Sequence, residues 1–346
     1  MRYRTIARTE IEISEVGFGV WTISAGWWGE HGDDAAVTLL RQAFDRGVNF
    51  FDTADTYGNG RGETILAQAF PGADRDEIVI GTKFGYDWQS NIGNRREGHQ
   101  EAPHRFDVEF LEKALDGSLR RLETDHIDLY QLHNVRQEHL ELDEIWTFLD
   151  KARRDGKILS AGVALGPAIG WLEEGLFSLA ERNVEVVHMI YNALEIEPGR
   201  ELIDAARKAG RSLMVRVPHS SGMLEGGYDE NTTFEPNDHR NHRTRGWLLN
   251  GIEKIDQLAF LTEGGERSLG QAALRYVLHA PEVVSALPNI YDLAQLDDFV
   301  GASDTAEITA EEATRIEALY DNNYGGLLPD TEVDPRKLLE LLEASA

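Results

Sequence analysis

Gly47-Val48-Asn49-Phe50-Phe51-Asp52-Thr53-Ala54-Asp55-Thr56-Tyr57-Gly58 carries two signals in sequence. The glycine closes a helical pattern, Asp33–Arg46, that opens with acids. A short apolar run, Val48–Asp52, then ends on a carboxylate and gives way to a polar loop. Helix, glycine, buried strand, polar loop is the repeating unit of a parallel sheet covered by helices. Parallel strands are buried on both faces and so read as short apolar runs.

The same unit recurs in both directions from this stretch. Strand candidates are Val16–Gly19, Val48–Asp52, Ile78–Lys83, Ile127–His133, Ile158–Val163, Val186–Ile190, Ser212–Val217 and Val283–Leu287. Helical patterns lie between them at Asp33–Arg46, Asp107–Leu122, Leu140–Arg154, Trp171–Arg182, Arg200–Ala209 and Leu269–His279. Eight such strands predict an α/β fold, a (β/α)8 TIM barrel, over an open doubly-wound sheet. The open sheet would carry a glycine-rich phosphate turn after its first strand. Gly17-Phe18-Gly19-Val20-Trp21-Thr22 lacks the third glycine and does not run into a helical pattern. Outside the barrel count, Tyr3–Ile6 and Glu10–Ile13 predict an N-terminal β-hairpin at the barrel bottom. Gly222–Gln257 is a long polar connection with a helical second half, and Ala310–Asn322 is an extra helix. No linker or low-complexity run divides residues 1–346, so a single domain is expected.

Composition narrows the function classes. Cysteine is absent, which excludes disulfides and thiolate chemistry. The net charge of -27 argues against nucleic acid and anionic membranes as partners. The start Met1-Arg2-Tyr3-Arg4 shows no apolar signal segment, and a cytoplasmic protein is expected. His126, His133 and His139 lack metal-ligand spacing, and His239, Asp238 and His242 read as loop polarity, so no metal is expected. Ser220-Ser221-Gly222 lacks the context of a serine nucleophile.

Polar residues stand where barrel strands should end. Asp52 closes the second strand, Tyr57 follows in its loop, Lys83 closes the third and His133 the fourth. In a barrel these ends converge on one mouth. A buried lysine needs a counter-ion, which Asp52 can supply. A phenol in water titrates near about 10, and a neighbouring ammonium favours its ionised form. A tyrosine so placed can give a proton to a carbonyl oxygen or take one from an alcohol. A histidine beside it can hydrogen-bond the same oxygen. Taken singly, each residue reads as a loop cap, packing or a core histidine; four at consecutive strand ends read as a site. None of them stores a hydride, so an organic redox cofactor is implied.

With these residues in hand, the sequence resembles the aldo-keto reductases over nearly its whole length. The resemblance rests on Gly47–Gly58, Gly81-Thr82-Lys83, Asp125–His133, Ile190-Tyr191-Asn192, Val217–Leu224 and Leu287-Pro288-Asn289. It implies a barrel with an NAD(P)H-dependent site at its mouth, and Asp52, Tyr57, Lys83 and His133 as the catalytic group. It also implies that Gly19, Trp21, His188, Arg216, Pro218, His219, Ser220, Gly222, Leu224, Asn289, Gln295 and Asp298 hold the cofactor. The match departs in several places. Ala164-Leu165 stands where the family has a Ser-Asn pair for the nicotinamide amide. His188 falls on the family's amide-binding Gln, Arg216 on a stacking aromatic and His219 on a Leu. The eighth-strand region offers Asn289, Tyr291, Gln295, Asp298 and Phe299, with no basic clamp for a 2′-phosphate, so NADP(H) and NAD(H) both stay open. Arg240, Arg243 and Arg245 read equally as phosphate contacts or as loop-surface arginines.

Trp27, Trp28, Phe84 and Trp88 are candidates for a substrate pocket suited to a sugar, a polar cyclic ketone or an aryl aldehyde. The expected partner is thus a small carbonyl or sugar, with the oligomeric state open. Two other readings compete. One is a non-turnover nucleotide-binding regulatory barrel; the other makes Lys83 a Schiff-base lysine.

Overall fold

The computed structural model describes residues 1–327 apart from 27, 30, 92–101, 167–168 and 237. A hairpin comes first: β1 (Tyr3–Thr5) pairs antiparallel with β2 (Glu12–Ser14). Eight parallel strands follow: β3 (Phe18–Gly19), β4 (Phe50–Asp52), β5 (Val79–Phe84), β6 (Ile127–His133), β7 (Ile158–Ala164), β8 (Val186–Ile190), β9 (Ser212–Arg216) and β10 (Val283–Leu287). Each pairs with its neighbour in chain order. The ring is brought nearly to closure by a parallel bridge between Val16 and Ala286. There Gly17 N donates to Ala286 O at 2.9 Å and Ala286 N to Glu15 O at 2.8 Å. The TIM barrel expected from the sequence is the fold observed.

Strand alternation sorts the side chains. Phe51, Ile80, Tyr130, Val163, Val187 and Val215 face outward and join the core shared with the helices. Phe50, Leu129, Val186 and Met214 belong to a second core, inside the barrel, which Ile6 and Ile13 of the hairpin region complete. Two residues further along the same strands stand Asp52, Gln131, His188 and Arg216. A step of two keeps a side chain on the same face, so the apolar floor becomes a polar mouth without a change of strand.

The helices lie where the 3.6-residue periodicity places them, to within a residue or two at most ends. Asp107 caps Val108–Arg121 by accepting from Phe110 N at 3.1 Å, and Ser268 with Gln271 forms a capping box on Leu269–Val277. The pattern at Leu140–Arg154 resolves into Gln137–Leu140 and Asp143–Arg154. Two longer helices were not foreseen, Arg61–Ala69 and Leu293–Gly301, and the expectation that the first strand does not run into a helix is corrected by the one-turn helix Trp21–Ser24. The helix Arg61–Ala69 begins Arg61-Gly62-Glu63, and its early glycine blurs the apolar spacing. Packing demands that glycine, since a Cβ on Gly62 would sit 2.5 Å from Thr53 Oγ1 and 3.3 Å from Tyr57 Cβ. The long connection carries the helix Arg245–Gln257, capped by Thr244. Among the described residues no helix is long and apolar enough to cross a membrane.

Candidate active site

The mouth is built from strand ends. Lys83, next to last in β5, is 1% exposed. Its Nζ donates to Asp52 Oδ2 at 2.5 Å and to the Thr53 carbonyl at 2.7 Å, and lies 3.3 Å from the Tyr57 hydroxyl. Burial works against the ammonium, but the Asp52 carboxylate and Tyr57 outweigh it and lift the lysine pKa above its ordinary value. The other Asp52 oxygen accepts from Gln131 Nε2 at 2.9 Å. Tyr57 stands on the loop after β4. Gly58 at φ +58° turns this loop, and a Cβ there would meet the Ser24 carbonyl at 2.5 Å.

His133 presents its ring edge-on to Tyr57, with centroids 5.9 Å apart, and to Tyr86 at 5.0 Å. Burial, then the charges of Lys83 and Arg216, hold its pKa well below the ordinary histidine value, so the imidazole is neutral. Its backbone carbonyl accepts from His104 Nε2 at 2.8 Å, and His104 stacks on Tyr86 at 4.2 Å. The four residues singled out at strand ends are therefore brought together.

On the other wall, His188 of β8 is buried, and neither ring nitrogen has a hydrogen-bond partner among the described residues. Burial and the nearby Arg216 depress its pKa strongly. Arg216 of β9 donates from Nη2 to the carbonyls of Leu165, at 2.9 Å, and Gly166. Beyond β9 the backbone runs through positive φ at Val217, Ser220, Ser221 and Gly222. Such left-handed turns form concavities suited to anionic oxygens. Gly19 is open at the mouth, where a Cβ would meet only the Pro288 carbonyl, at 3.8 Å. A planar amide-bearing ring and a diphosphate fit these features: unpartnered imidazole nitrogens, a planar guanidinium and a turn for phosphate oxygens.

The structure places Phe84, Trp88 and His219 elsewhere than expected. Phe84 does not line a pocket; it neighbours inward-facing Lys83, so alternation turns it outward, where it stacks on Tyr130 at 4.2 Å. Trp88 is buried, with the Arg121 guanidinium 5.7 Å from its ring and a hydrogen bond to the Asp55 carboxyl, beneath the Tyr57 loop. The His219 side chain turns away from the mouth, donating from Nε2 to Gly270 O at 3.0 Å and packing on Phe299. Burial pushes its pKa down to about 4. Asp298 is engaged by Ser268 Oγ at 3.0 Å. Gln295 donates to Glu225 Oε2 at 3.0 Å and accepts from Tyr291 N at 3.1 Å. Trp27 lies outside the described residues.

Trp28 stacks on Tyr291 and meets Trp21 edge-on, each at 6.0 Å. Arg240 covers Trp28 at 4.6 Å and is paired with Asp238 at 2.7 Å. Arg243 reaches Ser221 Oγ at 3.4 Å. Pro218, Ser220 and Leu224 are buried in the loop after β9, whose 3-10 turn Met223–Glu225 follows Gly222. Asn289 is half-buried just past β10.

Gln131 escaped the sequence reading, although it stands two residues before His133 on the same strand face. Glu63 also escaped. It is fully buried under the Tyr57 loop, accepting from Thr82 Oγ1 at 2.7 Å and from Arg121 Nε at 2.6 Å. Its only sequence signal is a carboxylate in a helix that was not foreseen.

A parallel barrel with a buried ammonium, a phenol and a neutral imidazole at its C-terminal mouth is a scaffold suited to proton transfer. The model of the Aldo/keto reductase family matches residues 15–321, and the chain belongs to that family. It is 30% identical over 301 residues to the aldo-keto reductase YhdN of Bacillus subtilis, covering 83% of this chain and 84% of that protein. It is 25% identical over 315 residues to the NADH-specific methylglyoxal reductase of Escherichia coli, covering 87% and 93%. The holo form of the aldo-keto reductase AKR11C1 from Bacillus halodurans superposes with a TM-score of 0.72 at 26% identity, covering 92% of this chain and 96% of that one. The protein is an oxidoreductase of the aldo-keto reductase type, and its cofactor is NAD(P)(H).

Proposed function

We propose that this chain interconverts a small carbonyl compound and its alcohol, with Tyr57 as the proton donor and acceptor. The observation that carries the reading is the Lys83 ammonium, buried against Asp52 and 3.3 Å from the Tyr57 hydroxyl. When bound, a nicotinamide would supply or accept the hydride. Lys83 stabilises negative charge as it develops on the Tyr57 oxygen when its proton leaves. Asp52 keeps Lys83 charged, and Gln131 holds Asp52 in place. His133, neutral, hydrogen-bonds the substrate oxygen and aims it at Tyr57. His188 takes one polar edge of the nicotinamide amide, and the turn Ser220–Gly222 takes the diphosphate. Gly19, Trp21, Pro218, Leu224, Asn289 and Gln295 line the path between them. Trp28 walls the side on which the carbonyl or sugar substrate enters.

NAD(H) is the better fit of the two nucleotides. Asn289 and Gln295 offer no positive charge to a 2′-phosphate, and Gln295 is tied to Glu225. Asp292 and Asp298 add negative charge at the same edge. The whole chain acts as one domain, in the cytoplasm, with no nucleic-acid partner; the overall charge of -27 supports the last point. The competing reading, a non-turnover regulatory barrel, draws on Ala164-Leu165, where no polar side chain meets an amide. The experiment is nicotinamide oxidation with a panel of aldehydes, ketones and sugars, on wild type and Tyr57→Phe. Turnover by the wild type that Tyr57→Phe loses, with nucleotide binding intact, supports the enzyme. Binding without turnover in both proteins supports the regulatory barrel.

A further inference from the structure

Among the described residues Arg216 is an ion without an ion partner. Its Nη2 is fixed to two backbone carbonyls in the loop after β7, Leu165 O and Gly166 O. Strand β8 lies between β9 and β7 in the sheet, so the guanidinium spans the end of β8 at Ile190, close enough to His188 one inward position below to act on its charge. No carboxylate forms a salt bridge with it among the described residues. Its electrostatic neighbours are Tyr57, Asp52 and Tyr86. Asp52, the one acid among them, is already bound to Lys83 and Gln131. His133 and His188 are held neutral. Around Arg216 the described residues therefore set two cations, Lys83 and Arg216, against the one carboxylate of Asp52, in a protein that is otherwise strongly acidic.

A nicotinamide able to exchange hydride with a carbonyl held at Tyr57 must lie in this same mouth. Its oxidised ring carries a positive charge and its reduced ring carries none. A fixed cation within a few ångströms, poorly screened by water, repels the first and leaves the second alone. We infer that Arg216 makes the site bind the reduced nucleotide more tightly than the oxidised one, so that the protein loads reductant and sheds oxidised cofactor. This rests on the nicotinamide reading proposed above. The Arg216 charge needs no contact with the substrate to act.

The test is equilibrium titration of the full chain with NADH, NAD+, NADPH and NADP+, read by quenching of tryptophan fluorescence. For the better-bound nucleotide, the wild type is expected to prefer the reduced form by about tenfold or more. Arg216→Gln should reduce that preference by about tenfold, and Arg216→Lys, which keeps the charge, should preserve most of it. Arg216→Met serves as the neutral variant if Arg216→Gln does not fold. Equal affinity for both forms in the wild type, or a preference unchanged in the neutral variants, overturns the inference. A neutral variant that keeps the preference but raises KM for pyruvate and not for propanal also overturns it, and assigns Arg216 to an anionic substrate. A wild type that binds none of the four nucleotides overturns the proposed function itself, a result visible before any variant is made.

Discussion

The two walls of the barrel mouth are built by the same rule and finished differently. On the β4–β6 wall the charged groups are tied together, Lys83 by Asp52 and Thr53 O, Asp52 by Gln131, with Tyr57 within reach of Lys83, while His133 Nδ1, Gln131 Oε1 and Thr53 Oγ1 lack a partner there among the described residues. On the β7–β9 wall the inward positions are Gly162, Ala164, His188, Ile190 and Arg216, and the His188 nitrogens meet nothing among the described residues. The first wall is set before any ligand arrives. The second has donors and a charge with few bonds to hold them. The contrast teaches that a reactive group can be specified by short contacts between adjacent strands, while the surface that receives a planar ligand is specified by what it leaves unpaired.

The largest expected effect breaks the first wall. Tyr57→Phe should lower kcat by about 10³-fold while nucleotide affinity stays within about twofold, because it removes a proton and not a binding surface. Steady-state rates beside fluorescence titration check both halves. Lys83→Met comes next. It leaves Asp52 buried without its cation and should destabilise the fold by about 3–5 kcal/mol, read by urea denaturation at neutral pH. A stability within error of the wild type would mean that the pair is not the anchor of this wall.

Acid acts behind the second wall. His219 has a folded-state pKa of about 4, below the ordinary value. The unfolded chain therefore takes up a proton that the folded chain refuses, and stability falls as pH drops below about 6.5. Glu225, raised by burial to about 7, acts in the opposite sense over part of this range. The clean measurement is thus a difference between two proteins. The stability gap between wild type and His219→Gln should narrow by about 2 kcal/mol between pH 7.5 and pH 5. A gap that stays constant would show that the imidazole is not held neutral. The smallest effect sharpens the second wall at its far edge. Asn289→Lys combined with Gln295→Arg should move the NADPH-to-NADH affinity ratio toward NADPH by about tenfold, by titration. No change would place the ribose elsewhere.

Much of this site was legible in the chain. The residues Asp52, Lys83 and His133 are polar ends on apolar runs, and such a run reveals its end without knowledge of its neighbours. Gln131 was legible in principle, two positions before His133, but a strand's inward face is known only once one residue on it is known to point inward. Phe84 illustrates the same ambiguity, since a loop-edge aromatic and an outward core aromatic look alike in sequence. The helix Arg61–Ala69 was hidden because Gly62 serves a contact with Thr53 and Tyr57 rather than helix propensity.

The sequence by itself determined the eightfold alternation, the polar strand ends and the membership that the family match bears out. These are local properties: a period of two, a period of 3.6 and a glycine between them. Only the tertiary structure decided that β3 meets β10 through Val16 and Ala286, that Arg216 reaches across β8 to Leu165 and Gly166, and that His219 turns to Gly270 and Phe299. Those outcomes depend on side chains dozens to hundreds of residues apart competing for one volume. Where a buried polar group ends up is set by which partner closure brings within about 3 Å, and no local pattern encodes that distance.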